Sequence, residues 1–401
     1  MISVNEAENI IAGNIKIFPK ELRLLKDCYG AVLRENVVAD RDQPAFDKAL
    51  MDGIAINLLS WQNEKGPLKI ENTQAAGQRA LKLNDKVYGC IKIMTGAVVP
   101  RNCDCLVPIE TLTNADGKMI INGAMNLKPG QYIRPQGVDC KKGMLLLAAG
   151  MQLFPPHIAI AAAVGKFKLK VSYKPKVAVI SNGDELVEIN KKSIRPFEIR
   201  KSNSYALDAI LRQSGLCEPQ MFHFVDNKSL LARGIKRILA QFDVLVLSGG
   251  VSMGEFDYIP QVLQELGVAV LFHKVKQRPG KPFWFGKNKN GKVVFALPGN
   301  PVSTQVGAYR YVVPYLKQAA GLSIKPPFAV LAEDFTSPTD FTYFLPVKIS
   351  YNTDGCTTAT PVETGGSGDY AALAQTDGFV ELEAPQKQFS KGQAVPFYSW
   401  K

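Results

Sequence analysis

The spacing of apolar residues predicts an α/β domain in the middle of the chain. Short apolar runs at 177–180, 244–247, 268–272 and 293–297 alternate with helical patterns. Continuous apolar strands that alternate with helices are typical of a parallel sheet covered on both faces. We therefore expect a doubly wound α/β domain over residues 174–320.

The helices of this region carry their own start and stop signals. Ser202 or Asn203 can cap a helix that runs through Leu211, and Gly215 can end it. Further helices are predicted over 228–241, 257–266 and 302–319.

The flanking regions predict different structure. Helical spacing recurs over 6–17 and again over 154–164. Between about 44 and 139, short β-rich runs are separated by Asn, Asp and Gly turns, which indicates an inserted β-rich domain. From 328 onward the pattern returns to short strands, which indicates a small C-terminal β-domain.

Composition limits the possible functions. The chain has 401 residues, of which 46% are hydrophobic and 21% charged, as in a globular protein of two to four domains. The net charge of +12 suggests anionic ligands, nucleic acid or a membrane surface, although a solvated basic surface explains it equally well. The basic stretch at 166–170 alternates like a strand with a lysine face. We therefore expect neither a nucleic-acid nor a membrane partner.

Cysteine and histidine usage argues against two classes of site. Seven scattered cysteines and three histidines do not fit a disulfide framework or a zinc site, and Cys103 and Cys105 are interpreted as packing residues. The N-terminus carries acids where a signal peptide carries bases, and no apolar run approaches the roughly 20 residues needed to span a bilayer. We expect a soluble, cytoplasmic protein.

Four unusual loops are predicted at the strand ends of the α/β domain. In open parallel sheets, ligands bind outside the carboxyl ends of the strands. The loops are the SNGDE loop (181–185), the SGG loop (248–257), the RPGK loop (277–281) and the PGN loop (297–303).

These loops fit an anionic ligand. Gly249 and Gly250 let backbone N–H groups approach an anion, and Arg278 and Lys281 add positive charge on a loop stiffened by prolines. A helix N-terminus contributes only about 0.3–1 kcal/mol, so cationic side chains are needed. Asp257 has a second interpretation as a helix N-cap. One such loop is as well explained by a tight turn, but four on one edge favour a binding site.

A second set of motifs lies in the inserted region. Residues 46–55, 92–96 and 134–139 each place polar residues beside a glycine. Singly, each is typical of a turn, and their spacing does not show that they face a common site.

Together the motifs resemble those of the molybdopterin molybdenumtransferases, the MoeA family that includes the E domain of gephyrin. The matching stretches occur in family order from about 45 to 379, and LPGNPVS together with SGGVSMGEFDY is the most specific combination. They are FDKALMDGIA, KIMTGAVVP, IRPQGVD, SNGDEL, SGGVSMGEFDY, RPGKPFWFG, LPGNPVS and GGSGDYAALAQTDGF.

The resemblance implies a four-domain subunit. Its parts are a discontinuous helical/strand linker domain (1–41 and 141–173), the inserted β-rich domain (42–140), an α/β molybdopterin-binding domain (174–320) and a C-terminal β-barrel-like domain (321–401). It also implies an elongated homodimer, with the active site between the α/β domain of one subunit and the inserted domain of its partner. Other cofactor-biosynthesis proteins are expected as further partners.

The implied reaction inserts molybdate into adenylylated molybdopterin, releases AMP and depends on Mg²⁺. Ser252 and Asp257 would serve the hydrolytic step, with Asp257 and Glu185 holding the metal. Residues with other implied roles fall into three groups: acids of the cleft (Asp52, Asp139, Glu185), groups that hold oxyanion or phosphates (Arg278, Lys281, Ser303, Ser367), and residues that line the ligand path (Thr95, Asn182, Gly183, Gly249, Gly250, Asn300).

The chain also departs from the family pattern. A hydroxyl and a phenol of the family are replaced, acids are missing at two places, and arginines are missing early in the C-terminal domain. The positions concerned are Lys48, Ala49, Ile54, Val138, Lys201, Thr342, Tyr343 and Phe344. Two alternatives stay open: a non-catalytic scaffold on the same dimer, and an enzyme that loads tungstate.

Overall fold

A computed structural model describes residues 1–123, 126–251 and 258–401. The chain divides into two compact units. The first contains Met1–Glu35, Ala149–Pro155 and Lys168–Lys401, and the second contains Asn36–Ala148 and Pro156–Phe167.

A sheet of six strands, counted over the described residues, forms the centre of the first unit. The spatial order is β2-β1-β3-β6-β5-β4. The strands are β1 (Lys176–Asn182), β2 (Glu218–Phe224), β3 (Val244–Ser248), β4 (Val268–His273), β5 (Trp284–Asn288) and β6 (Val293–Leu297).

The expectation of a wholly parallel sheet is wrong at one side. Strands β2, β1, β3 and β6 are parallel, but β5 runs antiparallel to both β6 and β4. The sequence analysis missed β5, which follows β4 after a short loop without the crossover helix that a parallel neighbour needs. Because two antiparallel steps restore the direction, the carboxyl end of β4 lies at the same edge as those of the parallel strands.

Helices cover both faces of this sheet, as predicted. Val177 and Val179 of β1 pack with α1 (Asn203–Ser214) in one buried cluster. Ala178 and Ile180 face the other side and pack with the helices there. Because successive strand residues point to opposite faces, the apolar runs are buried on both sides. The remaining helices are α2 (Lys228–Gln241), α3 (Ile259–Glu265), α4 (Pro301–Gly307) and α5 (Val313–Ala319).

The helix ends differ from the predictions in detail. Helix α1 ends at Gly215 in a left-handed conformation, as expected, but Ser202 occupies the cap position without a side-chain cap bond. The predicted helix 302–319 contains a π-helical turn, Ala308–Val312, between α4 and α5. This turn carries Arg310, which is 5% exposed and forms ion pairs of 2.8 Å with Glu8 and Glu381.

Five strands close into a barrel in the C-terminal region, which confirms the predicted β-barrel-like domain. Around the ring, each of β8, β9, β7, β11 and β10 pairs with the next, and β10 pairs again with β8. The strands are β7 (Phe328–Leu331), β8 (Thr342–Tyr351), β9 (Thr357–Pro361), β10 (Gly378–Leu382) and β11 (Ala394–Ser399).

The other elements of the first unit are short. The N-terminal helix Val4–Gly13 begins with a capping box in which Ser3 and Glu6 bond reciprocally. Strand Lys20–Leu24 pairs antiparallel with Lys168–Ser172. In that second strand Lys168 and Lys170 are exposed while Leu169 and Val171 are buried, so the predicted lysine face is confirmed. The first unit also contains three two-residue strand pairings: Leu186–Val187 with Ile199–Arg200, Gln277–Arg278 with β8, and Phe335–Thr336 with Gln388–Phe389.

The second unit is β-rich, as the turn-rich pattern predicts. Its largest sheet has the order Cys105–Pro108, Gly53–Ile56, Gly89–Ile93, Leu68–Gln74, Lys118–Ile121 and Leu112–Ala115. Helices Leu58–Glu64 and Pro155–Ala163 accompany it, the second beginning one residue outside the unit. Two small sheets pair Val37–Val38 with Leu145–Leu147 and Lys48–Ala49 with Ile133–Arg134.

The seven cysteines are free thiols in the structure. Within the described ranges, no helix has the length and apolar character that crossing a membrane requires.

Candidate functional site at the sheet edge

A cavity of about 350 Å³ opens at the carboxyl edge of the central sheet. We call it the edge cavity. The structure brings three of the four predicted loops to it, SNGDE, SGG and PGN, because their strands end at this edge, and Pro282 reaches it from directly after the RPGK loop. Its lining residues are Asn182, Gly183, Glu185, Asp226, Gly249, Gly250, Val251, Pro282, Pro298, Gly299 and Asn300.

Asn182 and Asp226 are the best-defined polar pair of the edge cavity. Asn182 donates a hydrogen bond from Nδ2 to Asp226, and Asp226 exchanges backbone-to-carboxylate bonds with Asp184. Asn182 is 6% exposed, and its Oδ1 is buried. Among the described residues, this oxygen is the one buried side-chain polar atom without a hydrogen-bond partner. An unpaired buried acceptor costs free energy, so a donor or cation supplied by a ligand would relieve it.

Glycines let the loops approach each other at backbone distance. A Cβ at Gly249 would lie 3.0 Å from the Asn182 carbonyl oxygen, and Gly249 has φ +92°. A Cβ at Gly299 would lie 3.5 Å from the Gly249 Cα. The SNGDE, SGG and PGN loops therefore pack backbone against backbone at the cavity.

A second cavity of about 620 Å³ lies between the RPGK loop and the C-terminal barrel. We call it the barrel cavity. It takes residues from the RPGK and PGN loops, from the start of β8 and from the segment 364–367. Its lining includes Arg278, Lys281, Asn300, Ser303, Phe341, Tyr343 and Ser367.

The RPGK loop is built around Gln277. This residue is 1% exposed, and its Nε2 donates to the carbonyl oxygens of Pro279 and Gly280 at 3.3 and 3.2 Å. Tyr311 donates its hydroxyl to the amide oxygen of Gln277. A buried, fully bonded amide thus fixes the loop that carries the two cations.

Arg278 and Lys281 are exposed and available to a ligand. Neither forms an ion pair with any residue that the structure describes. The Lys281 ammonium lies 5.7 Å from the centre of the Phe341 ring. Tyr343 stacks on Phe335, and burial raises the pKa of its hydroxyl, while the charge of Arg278 opposes this shift. Two cations without an ion-pair partner among the described residues suit a compact anion.

The PGN loop separates the two cavities and lines both of them. Asn300 donates from Nδ2 to Ser367 Oγ at 2.7 Å, and the Val302 amide donates to the Ser367 carbonyl at 3.2 Å. Ser303 is 2% exposed and follows at the start of α4. The predicted binding residues of these loops therefore fall into two adjacent cavities.

The motifs of the second unit also meet each other. The Ala49 amide donates to the Ala97 carbonyl, and Gly96 donates back to Ala49. Strand Lys48–Ala49 pairs with Ile133–Arg134, so stretches 46–55, 92–96 and 134–139 converge.

The two acids of these motifs are already bonded. Asp52 accepts from the backbone and hydroxyl of Thr95 at 2.6 and 2.7 Å, and these bonds lower the pKa of Asp52. Asp139 pairs with Arg134, and the hydrogen bond to Asp139 raises the pKa of the guanidinium. Both acids and Thr95 belong to the second unit, whereas the other predicted site residues belong to the first.

Several family departures have a structural explanation. Ile54 is fully buried in the core of the second unit, where an aliphatic side chain packs with Leu58 and Val107. Lys201 is paired with Glu188. Phe344 is buried against Phe379. The structure gives no account of Lys48 or Val138.

Two predicted catalytic residues, Ser252 and Asp257, lie outside the described residues.

The sequence analysis did not predict a role in the site for Asp226 or Asn203. Asp226 follows the carboxyl end of β2, but the sequence of that edge strand, EPQMFHF, contains a proline and exposed positions, so its strand was not recognised. A strand prediction there would have placed Asp226 at the ligand-binding edge.

The residues of the edge cavity fit Mg²⁺. Glu185 and Asp226 supply carboxylates, and the unpaired Asn182 Oδ1 supplies a neutral oxygen. In the described ranges no group of three or more His, Cys, Asp or Glu could hold a metal by itself. Magnesium usually takes one or two carboxylates and completes its shell with water and substrate phosphates, so this sparse set matches it.

Comparison with known proteins agrees along the whole chain. Residues 2–165 match the MoeA N-terminal region (domain I and II), 178–318 a probable molybdopterin binding domain, and 329–400 the MoeA C-terminal region (domain IV). A molybdopterin molybdenumtransferase of Synechocystis sp. is 38% identical over 401 residues and covers 100% of both chains. One from Bacillus subtilis is 30% identical, covering 98% of this chain and 93% of its own. The crystal structure of a molybdopterin biosynthesis MoeA protein from Pyrococcus horikoshii superposes with a TM-score of 0.81 at 31% identity, covering 100% of this chain and 99% of its own.

Proposed function

This chain belongs to the MoeA family of molybdopterin molybdenumtransferases, and from that premise we propose that it inserts molybdate into adenylylated molybdopterin and releases AMP. One observation carries the proposal: the edge cavity and the barrel cavity adjoin at the PGN loop and offer opposite charges. A phosphorylated substrate with its cation would occupy the edge cavity, and the oxyanion with which it reacts would occupy the barrel cavity.

The barrel cavity is proposed as the oxyanion site. Arg278 offers a planar fork of donors that matches an oxyanion, and Lys281 offers a point charge. Ser303 and Ser367 add hydroxyl groups near them. Since both cations lack an ion-pair partner among the described residues, an incoming anion need not displace a carboxylate.

The edge cavity is proposed to hold the phosphates and the metal. Gly249 and Gly250 allow the phosphates to approach backbone N–H groups, and Asn182, Gly183 and Asn300 line the path beside them. Glu185 and Asp226 would hold Mg²⁺, which when bound polarises the phosphoanhydride and offsets its charge. Asp226 also accepts a hydrogen bond from Asn182 Nδ2 and so fixes the orientation of the Asn182 amide. We retain Ser252 and Asp257 as proposed catalytic residues of the same loop.

The second unit contributes Asp52, Thr95 and Asp139 under this proposal. We propose that the protein acts as a cytoplasmic homodimer in which these residues complete the site of the partner subunit. Free thiols fit a reducing compartment. Light scattering that gave a fully active monomer at micromolar concentration would contradict the shared site.

The direct test uses purified protein with adenylylated molybdopterin, Mg²⁺ and molybdate. We expect AMP release that depends on both ions, together with cofactor that activates a cofactor-free molybdoenzyme. Substrate binding without AMP release would favour the non-catalytic scaffold. Parallel titrations with tungstate would show whether the barrel cavity distinguishes the two oxyanions, whose size and charge are nearly the same.

A further inference from the structure

Asn203 connects two of the four loops from outside the edge cavity. Its side-chain amide donates to Ser248 Oγ at 2.9 Å and to the Gly299 carbonyl at 2.7 Å. An asparagine amide nitrogen carries two hydrogens, so both are engaged. One bond holds the start of the SGG loop, and the other holds the turn of the PGN loop.

Among the described residues, which include only 248–251 of the SGG loop, the two loops have few other polar links. The Gly249 amide donates to the Leu297 carbonyl at 3.1 Å, and Ser248 Oγ lies 3.4 Å from Thr304 Oγ1. Thr304 in turn donates to the Pro298 carbonyl at 2.6 Å. Where Gly249 and Gly299 face each other, no side chain separates them. Their spacing therefore depends on this small network, in which Asn203 bonds both loops directly.

The bonds of Asn203 do not serve its helix. Asn203 is the first residue of α1, and Ser202 occupies the cap position. A residue at the first helical position needs no side-chain bond, since capping is the task of the residue before it. The amide instead reaches from the helix start to the neighbouring loops.

We propose that Asn203 is a positioning residue that sets the spacing of the SGG and PGN loops, and thereby the shape of the edge cavity. As to its effect on the reaction, this inference rests on the proposed function. The barrel cavity should depend less on Asn203, because the Asn300–Ser367 bond holds the other side of the PGN loop.

The test compares Asn203→Ala and Asn203→Asp with two controls. Ser202→Ala changes the adjacent residue, and Asn227→Ala removes the cap of α2, whose Oδ1 accepts from Ser229 and Leu230. Hydrogen exchange is measured for peptides covering 244–251 and 297–304 in the unliganded dimer, and AMP binding is measured by calorimetry.

We expect both Asn203 variants to exchange about tenfold faster in these two peptides and to bind AMP about tenfold more weakly, which corresponds to about 1.4 kcal/mol. Both controls should leave these peptides and AMP binding unchanged. Aspartate is informative because it cannot donate to the Gly299 carbonyl at neutral pH. If Asn203 served only its helix, aspartate in the first turn would be neutral or stabilising.

Unchanged exchange in both peptides for Asn203→Asp would overturn the proposal. Faster exchange with unchanged AMP affinity would overturn its link to the edge cavity. If the wild-type protein neither binds AMP nor releases it, the proposed function fails, yet the exchange comparison still decides whether Asn203 holds the loops. Should Asn203→Ala fail to fold, the aspartate variant carries the test.

Discussion

The edge cavity and the barrel cavity share the PGN loop but offer opposite chemistry. Glu185 and Asp226 face the first, whereas Arg278 and Lys281 face the second. One side is therefore suited to a cation and the other to an anion. Opposite charges attract, so a single cavity with all four groups would favour internal ion pairs over ligands.

The PGN loop lies between the two sets of charges. Asn203 and Ser367 bond the PGN loop on opposite sides, at Gly299 and Asn300. These hydrogen bonds hold the PGN loop on both sides, and the loop forms a wall between the carboxylates and the cations. Substitutions on one side should then change one ligand requirement and leave the other largely intact.

The largest effect is expected for Arg278→Ala. Hydrogen bonds to charged groups contribute about 1.5–3 kcal/mol, so the molybdate concentration for half-maximal insertion should rise about 10- to 100-fold. Lys281→Ala should show a smaller increase because a point charge gives no bidentate contact. Molybdate is titrated at fixed adenylylated molybdopterin.

Lys276→Ala is the matched control for these cations. Lys276 is exposed on the same segment but lines neither cavity. Unchanged molybdate titrations for Arg278→Ala and Lys281→Ala in folded protein would contradict a role for these two cations and would leave Ser303 and Ser367 as the oxyanion ligands of the barrel cavity.

The second effect concerns Glu185→Gln in the edge cavity. A unit charge about 4 Å from another contributes about 1 kcal/mol in water and more in a partly buried cleft. The Mg²⁺ concentration for half-maximal AMP release should therefore rise about tenfold. Initial rates over a Mg²⁺ series measure this, with the exposed Glu188→Gln as a control on the same segment. An equal rise in the molybdate requirement would break the separation between the cavities.

A smaller effect is expected for Ser367→Ala, which removes the bond from Asn300. A neutral hydrogen bond contributes about 0.5–1.5 kcal/mol, so the molybdate requirement should rise about 2- to 10-fold. Because the PGN loop is shared, AMP affinity should fall slightly as well. Glu363→Ala, on the same segment but outside both cavities, is the control. A loss confined to AMP binding would contradict the assignment of Ser367 to the barrel cavity.

The fold was predictable wherever the pattern was local. Apolar runs and helix signals correctly placed β1, β3, β4 and β6, and α2 begins and ends where the pattern indicated. Strand β5 was missed because its aromatic run directly follows a loop with two prolines. Strand β2 was missed because an edge strand is exposed and lacks a continuous apolar run.

The site was predictable as a set of loops but not as two cavities. Glycines and prolines marked the loops, since these residues restrict or free the backbone. Pairings between distant residues leave no trace in local sequence. Neither the Asn203 bonds to Ser248 and Gly299 nor the Asn182–Asp226 pair could be inferred from spacing.

The smallest expected effect is a dependence of stability on pH, which reports on the charges around His223 next to the edge cavity. His223 lies on β2 with Nδ1 3.1 Å from Ser181 Oγ, directly before Asn182. Burial, followed by the charge of Lys201, lowers the pKa of His223, while Ser181 and the carboxylates of Glu188 and Asp226 oppose this shift.

The sign of the effect follows from which state binds the proton. In the unfolded chain histidine has a pKa of about 6.5, so below that pH the unfolded state takes up a proton that the folded state still excludes. The melting temperature should therefore fall as the pH decreases from about 7 toward the lower folded pKa, and then become level as far as this group is concerned. His223→Gln should flatten this part of the profile. Lys201→Met removes the nearby positive charge, so it should raise the pKa of His223 in the folded state and reduce the slope of melting temperature against pH.

The effect is small because His223 is partly exposed and solvent screens its neighbours. An unchanged profile for His223→Gln would show that the carboxylates beside the edge cavity cancel the burial, and that this side of the wall is more acidic than proposed.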